Sequence, residues 1–385
     1  MGLNRKHTAL IAILLIIIVL FTSVFLTLKP SNDQTPLEKF YVGVEYAYGN
    51  QPSQVKLLVD QVKNYTNLLV LGSEITFNRT ALDEACGYVI TANLSLIVQF
   101  TGLEKYSYDT RNWMLQAQQK YGDKFLGVYR YDEPGGNQLD QGQSLIVNRT
   151  EVNANSSYTD IANKFNTVLS IFPSGYLPYS PRVYTADYGL YWFDYKAGYT
   201  TIFAEFVGNE SRERHIALCR GAAEAFGNDW GAIVTWKYTD GPDYLESPDE
   251  LYNDLTLAYT AGAKYTIVFS YPNATDANYG ILTMQHLEKM QQFWNYTQSN
   301  PASFGSTKPS IAYIVPADYG FGFRSANDTI WGVFPPDQLS PKIYNDVTTL
   351  TETYGSQLDI LYDGPKTATL LPCYSKVFYW NQTVT

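Results

Sequence analysis

Leu126-Gly-Val-Tyr-Arg-Tyr-Asp-Glu-Pro134 is a short run of apolar and aromatic residues that ends on two carboxylates and a proline. A run of that length bounded by a turn signal reads as a strand buried on both faces. The same unit recurs along the chain: such a run, a polar turn, then a stretch with helical spacing. Strands are expected at Phe40 to Tyr46, Leu68 to Gly72, Leu94 to Thr101, Leu126 to Glu133, Val183 to Ala186, Thr200 to Val207, Gly231 to Tyr238 and Lys264 to Tyr271. Between them, sets such as Val55, Leu58, Val59 and Val62, or Ile161, Phe165, Val168 and Leu169, recur at helical spacing. Ser247-Pro-Asp249 opens one helix with a cap, a proline at the first position and an acid in the first turn. Eight strand-then-helix units between Lys39 and Asn300 predict an α/β chain folded as a closed (β/α)8 TIM barrel, whose chemistry sits at the carboxyl ends of its strands.

The pattern restarts after Pro301. Pro309 to Pro316, Leu358 to Tyr362 and Ser375 to Trp380 read as strands and Pro341 to Tyr354 as a helix. Residues 301–385 are therefore expected to form a small open parallel sheet beside the barrel of residues 39–300. Ala317 to Phe323, with Gly320 and Gly322, follows its first strand and reads as a structural turn rather than a binding loop. Gly135 to Asn155 reads as a long polar insertion.

The amino end carries a different signal. Ala9 to Leu28 contains no charge and is long enough to cross about 30 Å of hydrocarbon as a helix. Arg5 and Lys6 precede it, which favours a cytoplasmic tail (residues 1–8), a single-pass anchor (9–28), a linker (29–38) and an extracellular body. Ten Asn-x-Ser/Thr sequons, at Asn64, Asn78, Asn93, Asn148, Asn155, Asn209, Asn273, Asn295, Asn327 and Asn381, fit an N-glycosylated surface. Three scattered cysteines, Cys86, Cys219 and Cys373, do not make a disulfide framework, which suits an archaeal cell surface. With a net charge of −10 and no run of basic residues, the chain is not expected to bind nucleic acid.

Several predicted strands end in acids: Glu45, the Asp132-Glu133 pair and Glu205. Hydrolysis of a glycosidic bond needs two carboxyls facing across it, one protonated and one ionised. Strict alternation along the fourth strand puts Gly127, Tyr129, Tyr131 and Glu133 on one face, so Glu133 is the first candidate and Tyr131 its expected hydrogen-bond partner. Trp192, Trp236, Tyr238 and Tyr271 fall at or beyond strand ends, where flat rings could stack on sugars or simply fill an aromatic core.

Asp132-Glu133-Pro134 resembles the Asn-Glu-Pro that ends the fourth strand of the clan A glycoside hydrolases. That resemblance implies an acid/base role for Glu133 and places Asp132 where the family has asparagine. The clan's nucleophile ends the seventh strand, where this chain has Thr235-Trp-Lys-Tyr238 and no acid before Asp240. Glu205 is the substitute second carboxylate, with Glu45 as a further rim acid. The expectation is a membrane-anchored extracellular glycoside hydrolase-like barrel acting on carbohydrate without metal or cofactor. Its rival is a noncatalytic glycan-binding or structural barrel. His7, His215 and His286 are too few and too scattered for a metal site or a Ser-His-Asp relay, and His215 and His286 are expected on outer helical surfaces. Lys237 beside strand-end acids reads as an ion-pair partner rather than a Schiff-base lysine.

Overall fold

The computed structural model describes residues 40–101, 106–142, 145–153, 155–238, 244–269 and 283–384. Eight parallel strands close into a barrel: β1 (Tyr41–Tyr46), β2 (Leu68–Leu71), β3 (Ser95–Phe100), β4 (Phe125–Arg130), β5 (Val183–Asp187), β6 (Thr201–Val207), β7 (Asp229–Thr235) and β8 (Tyr265–Val268). β8 pairs with β7 on one side and β1 on the other, which completes the ring. Each strand lies where an apolar or aromatic run predicts one, because strands of a barrel wrapped in helices are buried on both faces.

The helices around it are α1 (Pro52–Val62), α2 (Arg79–Thr91), α3 (Thr110–Tyr121), α4 (Pro134–Asp140), α5 (Tyr158–Leu169), α6 (Ile171–Tyr176), α7 (Tyr191–Ala197), α8 (Arg212–Phe226), α9 (Pro248–Thr260) and α10 (Met284–Ser299). Ser247 caps α9 in a reciprocal box with Glu250, as its sequence predicts. α4, α7 and a short hairpin, Lys237–Tyr238 with Tyr244–Leu245, are additions that the sequence pattern does not announce. Thus the polar insertion after β4 begins as a helix.

Side chains from alternate strand positions fill the barrel. Tyr41 stacks on Tyr265 at 5.0 Å, Tyr184 stacks on Phe203 at 5.4 Å, and the Tyr184 and Tyr265 hydroxyls meet at 3.2 Å. All four belong to one buried cluster, so many of the tyrosines build the core itself. Tyr41 and Phe203 face inward, so residues two and four further along their strands recur on the same side. Glu45, on β1, and Glu205, on β6, therefore form the layer above the aromatic floor.

The fourth strand departs from strict alternation. Its register with β3 shifts between Leu96 and Ile97, Gly127 has φ +139°, and both Leu126 and Tyr129 join the interior cluster. A β-carbon at Gly127 would run into the Arg182 carbonyl, so only glycine lets β5 approach here.

β9 (Ile311–Val315), α11 (Leu339–Tyr354), β10 (Leu358–Tyr362), α12 (Pro365–Leu370) and β11 (Lys376–Tyr379) make the second sheet, parallel and in the order β10-β9-β11. Barrel and sheet belong to one compact unit, Tyr41–Thr385. Arg220 on α8 donates from Nε to the buried Asp359 carboxylate of β10 at 2.9 Å and from Nη2 to the carbonyls of Ser356 and Leu358. Ala317 to Phe323 packs inward, with Tyr319, Phe321 and Phe323 buried. The following stretch then braces the barrel: Gln138 of α4 donates to the Trp331 carbonyl at 2.9 Å and Arg324 pairs with Asp140.

No helix among the described residues is long and apolar enough to cross a membrane, and the expected anchor Ala9 to Leu28 lies outside them. Cys86 and Cys219 are buried and Cys373 is exposed, all as free thiols. Nine of the ten sequon asparagines lie among the described residues, and all nine are exposed; Asn273 is outside them.

Candidate active site

β4 ends at Arg130, and the chain leaves it through two left-handed residues, Tyr131 (φ 60°) and Glu133 (φ 50°). Such φ values on bulky residues cost of order 1 kcal/mol or more each and persist where surrounding contacts fix them. Thr185 donates its hydroxyl to the Tyr131 carbonyl at 2.7 Å, and the Glu133 N–H reaches the Ala186 carbonyl at 3.1 Å. This turn overrides the alternation expected from sequence. Asp132 swings back to accept the Tyr129 hydroxyl, whereas the Tyr131 ring packs on Phe172 at 4.4 Å. A tyrosine hydroxyl joined to the acidic pair is therefore that of Tyr129.

Asp187, at the end of β5, explains why the turn holds. Its Oδ2 accepts the Gly135 N–H at 2.6 Å; its Oδ1 accepts those of Gly136 (2.8 Å), Tyr188 (2.8 Å) and Gly189 (3.1 Å). A carboxylate at a helix N-terminus meets donors that have no partner within the helix. The approach needs the Gly135-Gly136 pair: a β-carbon on Gly135 would sit 2.8 Å from Asp187 Oδ2, and one on Gly136 would strike the Tyr188 ring. Asp187 was not singled out in the sequence, although a Pro-Gly-Gly directly after a candidate acid is the signal of such a close approach.

With the turn in place, Glu133 faces Glu205 closely enough for the two carboxyls to perturb one another. Burial, then the Asp132 and Asp187 charges, pushes Glu133 up to about 8. Glu205, 9% exposed, is driven well above the carboxylate range by burial first and Glu133 second. Two carboxyls this close cannot both ionise, so the pair retains a proton. Behind it, Asp194 is fully buried, and neither of its carboxyl oxygens has a hydrogen-bond partner among the described residues. Burial raises Asp194 well above its ordinary value and Asp187 to about 6.

Glu45 completes the rim. It is 4% exposed, and burial followed by the Asp132 charge pushes it to about 8. Its Oε1 shares the notch over Gly72 with Gln99 Oε1, lying 2.9 and 2.5 Å from where a β-carbon would be. Gln99, from β3, escaped the sequence reading because it carries no charge. Tyr48, 56% exposed with its ring edge-on to Phe269 at 5.9 Å, is an accessible flat ring on the same loop layer, again not foreseen.

The expected sugar platforms lie elsewhere. Trp192, on α7, packs between Phe226 and Tyr362 at 5.2 and 5.4 Å, where the barrel meets the second sheet. Trp236 has no exposed surface and lies 4.5 Å from the His286 ring. Tyr238 pairs with Tyr244 in the hairpin, and Tyr271 is outside the described residues. Both body histidines are buried rather than on a surface: His215 bridges the Tyr191 hydroxyl (2.8 Å) and Glu210 (3.1 Å), and His286 bridges Thr283 and the Glu246 carbonyl. Helices with an all-round apolar setting bury even their polar faces. Among the described residues no group of three or more His, Cys, Asp or Glu is arranged to hold a metal ion.

No protein-family model matches this sequence, and no curated protein does. Solved structures do match in fold. An α-L-fucosidase isoenzyme 2 from Paenibacillus thiaminolyticus aligns over 88% of this chain with a TM-score of 0.50 and 10% identity. The chain spans only 64% of that enzyme's length. A GH30 endoxylanase from Clostridium papyrosolvens follows (TM-score 0.43, 10% identity, 67% of this chain and 72% of that one). A spore coat polysaccharide biosynthesis protein from Bacillus subtilis also matches (0.39, 11%, 70% and 71%). At such identities the likeness speaks for architecture, and function must be argued from the site.

Proposed function

We propose that this chain is a glycoside hydrolase-like barrel that cleaves a glycosidic bond with Glu133 and Glu205. The single observation that carries the reading is the convergence of Glu133 and Glu205 at the carboxyl ends of β4 and β6, close enough for Glu133 to raise Glu205. One proton shared by two acids provides both states that the reaction needs. The stronger upward push on Glu205 favours the proton there in the empty site. It passes to Glu133 before Glu133 delivers it to the glycosidic oxygen as the C–O bond breaks and the then ionised Glu205 attacks the anomeric carbon. A water that returns its proton to Glu133 then displaces Glu205 from the sugar. A carboxylate held at this rim favours the positive charge developing on the sugar ring. Tyr48 offers the flat ring, Glu45 and Gln99 offer hydrogen bonds to hydroxyls, and Asp187 holds the Glu133 turn.

The reading extends to an archaeal cell-surface protein anchored by Ala9 to Leu28, with an N-glycosylated extracellular body, supported by the charge-free span and the exposed sequons. A second reading, a barrel that binds glycans without turnover, draws on Thr235, which ends β7 where the clan A resemblance calls for a nucleophile. One experiment separates them. Purified parent, Glu133→Gln and Glu205→Gln proteins are incubated with a glycan panel and the products resolved by NMR. Cleavage with retained anomeric configuration, lost in both variants, supports hydrolysis; variants as fast as the parent refute it; glycan binding without products supports the second reading.

A further inference from the structure

The rim acids differ in one respect from the acid that holds their turn. Asp187 accepts four backbone N–H groups and is saturated by them. Among the described residues, the only donor outside the acids themselves that reaches Glu45, Asp132, Glu133 or Glu205 is the Tyr129 hydroxyl, on one oxygen of Asp132. Glu45 is only 4% exposed, yet its carboxyl receives no N–H or O–H, whereas a buried polar group is ordinarily supplied with a partner. It points inward with Glu205 and feels the Asp132 charge directly. A ligand can reach these groups, because Asp132 is exposed and Glu133 partly so.

No base offsets them. Alternation from the interior residues Val70, Ile97, Ile233 and Ile267 sets Gly72, Gln99, Thr235 and Phe269 in the layer of Glu45 and Glu205, and none of these carries a positive charge. The nearest arginines are engaged outside the ring of strands. Arg130 donates to the Phe100 and Thr101 carbonyls and lies over the Tyr176 ring, and Arg212 pairs with Asp254 at 2.8 Å. The influences on Glu45 and Asp132 include no basic residue. Carboxyls so placed hold protons for want of a counter-charge, and a cation with donors to offer would replace those protons.

The kind of cation follows from the acceptors. A primary ammonium brings one positive charge and three donors, with no lone pair to be repelled. A hydroxyl brings one donor and no charge, and an acetamido group would turn a carbonyl oxygen towards carboxylates. Among the described residues no group of three or more His, Cys, Asp or Glu is arranged to hold a metal ion. Tyr48, three residues beyond Glu45 and edge-on to Phe269, sets an exposed flat ring at the same rim. We propose that the rim takes an amino sugar with a free amine, its ammonium held by Glu45 and Asp132. This rests on the reading of the rim as a saccharide site and adds the class of saccharide.

The test uses the full-length parent protein in detergent and ligands that it cannot turn over: glucosamine, galactosamine and mannosamine, each beside its N-acetylated form and its parent hexose. Within a series the three ligands differ only at carbon 2. Calorimetry and saturation-transfer NMR at neutral pH should show the amino form binding about 10-fold tighter or more than the hexose in at least one series, and the N-acetylated form no tighter than the hexose. Added salt should shrink that advantage. Glu45→Gln and Asp132→Asn should each bring the ratio of amino to hexose affinity down about 10-fold, towards one. Glu45→Gln exchanges a carboxyl without a donor for an amide of the same shape, so its melting temperature serves as the folding control. If that variant does not fold, Asp132→Asn, at an exposed side chain, carries the test. Equal affinity of amino and hexose forms in all three series, no binding by any ligand, or a preference that survives the substitutions overturns the inference. Ethanolamine binding as tightly as the amino sugars overturns it too, because the rim would then recognise charge alone. Turnover is read separately: loss of cleavage in Glu133→Gln and Glu205→Gln without an amine preference removes this inference alone, and an amine preference without cleavage removes the hydrolytic reading alone.

Discussion

Stability against pH tests the Glu133–Glu205 pair without any substrate. Glu133 is raised to about 8, against about 4.3 for an unfolded glutamate. A carboxyl whose folded pKa is raised stabilises the fold most below the unfolded value, and loses that contribution as pH climbs towards the folded one. Between pH 5 and 7 the folded pair keeps its proton while the unfolded chain has released it. Each pH unit then costs about 1.4 kcal/mol per retained proton, so about 2.7 kcal/mol disappears over the interval. That is a large share of the 5–15 kcal/mol typical of a domain. Glu133→Gln removes this proton and should flatten the decline by about 2.7 kcal/mol, with Glu205→Gln acting in the same direction. Because the two acids titrate as one unit, the double variant should flatten it by less than the sum of the singles. Urea unfolding at pH 5, 6 and 7, in parallel for parent and variants, reads this directly. Equal slopes for parent and Glu133→Gln would mean that the pair is ionised, and the shared-proton chemistry would fall with it.

Asp187→Asn puts an amide nitrogen against the Gly135 N–H, or, rotated, against three N–H groups. It should cost about 1.5–3 kcal/mol in denaturant unfolding and reduce kcat for any substrate found more than it alters KM. Asp359→Ala strands the buried Arg220 guanidinium, and a loss of about 3–5 kcal/mol in calorimetric stability is expected; a loss below 1 kcal/mol would show that the second sheet is not held by this pair. Trp192→Ala empties the contact with Phe226 and Tyr362 and should destabilise by about 3–5 kcal/mol while leaving sugar affinity unchanged, as measured by unfolding and glycan titration.

All eight barrel strands and the three strands of the second sheet could be located from the linear chain, because a parallel strand covered by helices must be apolar almost throughout. Leu358–Tyr362 coincides with its apolar run residue for residue. Acids at strand ends were equally visible: Glu45 and Glu205 extend the inward alternation of Tyr41 and Phe203. Alternation fails, however, wherever the backbone leaves the extended region. The left-handed residues Tyr131 and Glu133 reverse which neighbour faces inward, and their conformation is held by Thr185, Ala186 and Asp187, more than 50 positions away in the chain. The aromatics diverged for a related reason. A tryptophan buries the same area against a sugar or against another ring, so only the packing of α7 on Phe226 and Tyr362 assigned Trp192 to an interface.

Local composition, then, determined the elements and their order, since burial on both faces is written into each strand by itself. Tertiary structure alone decided which carboxyls converge, because Glu133 and Glu205 can act on one another only when the ring sets β4 and β6 on either side of β5.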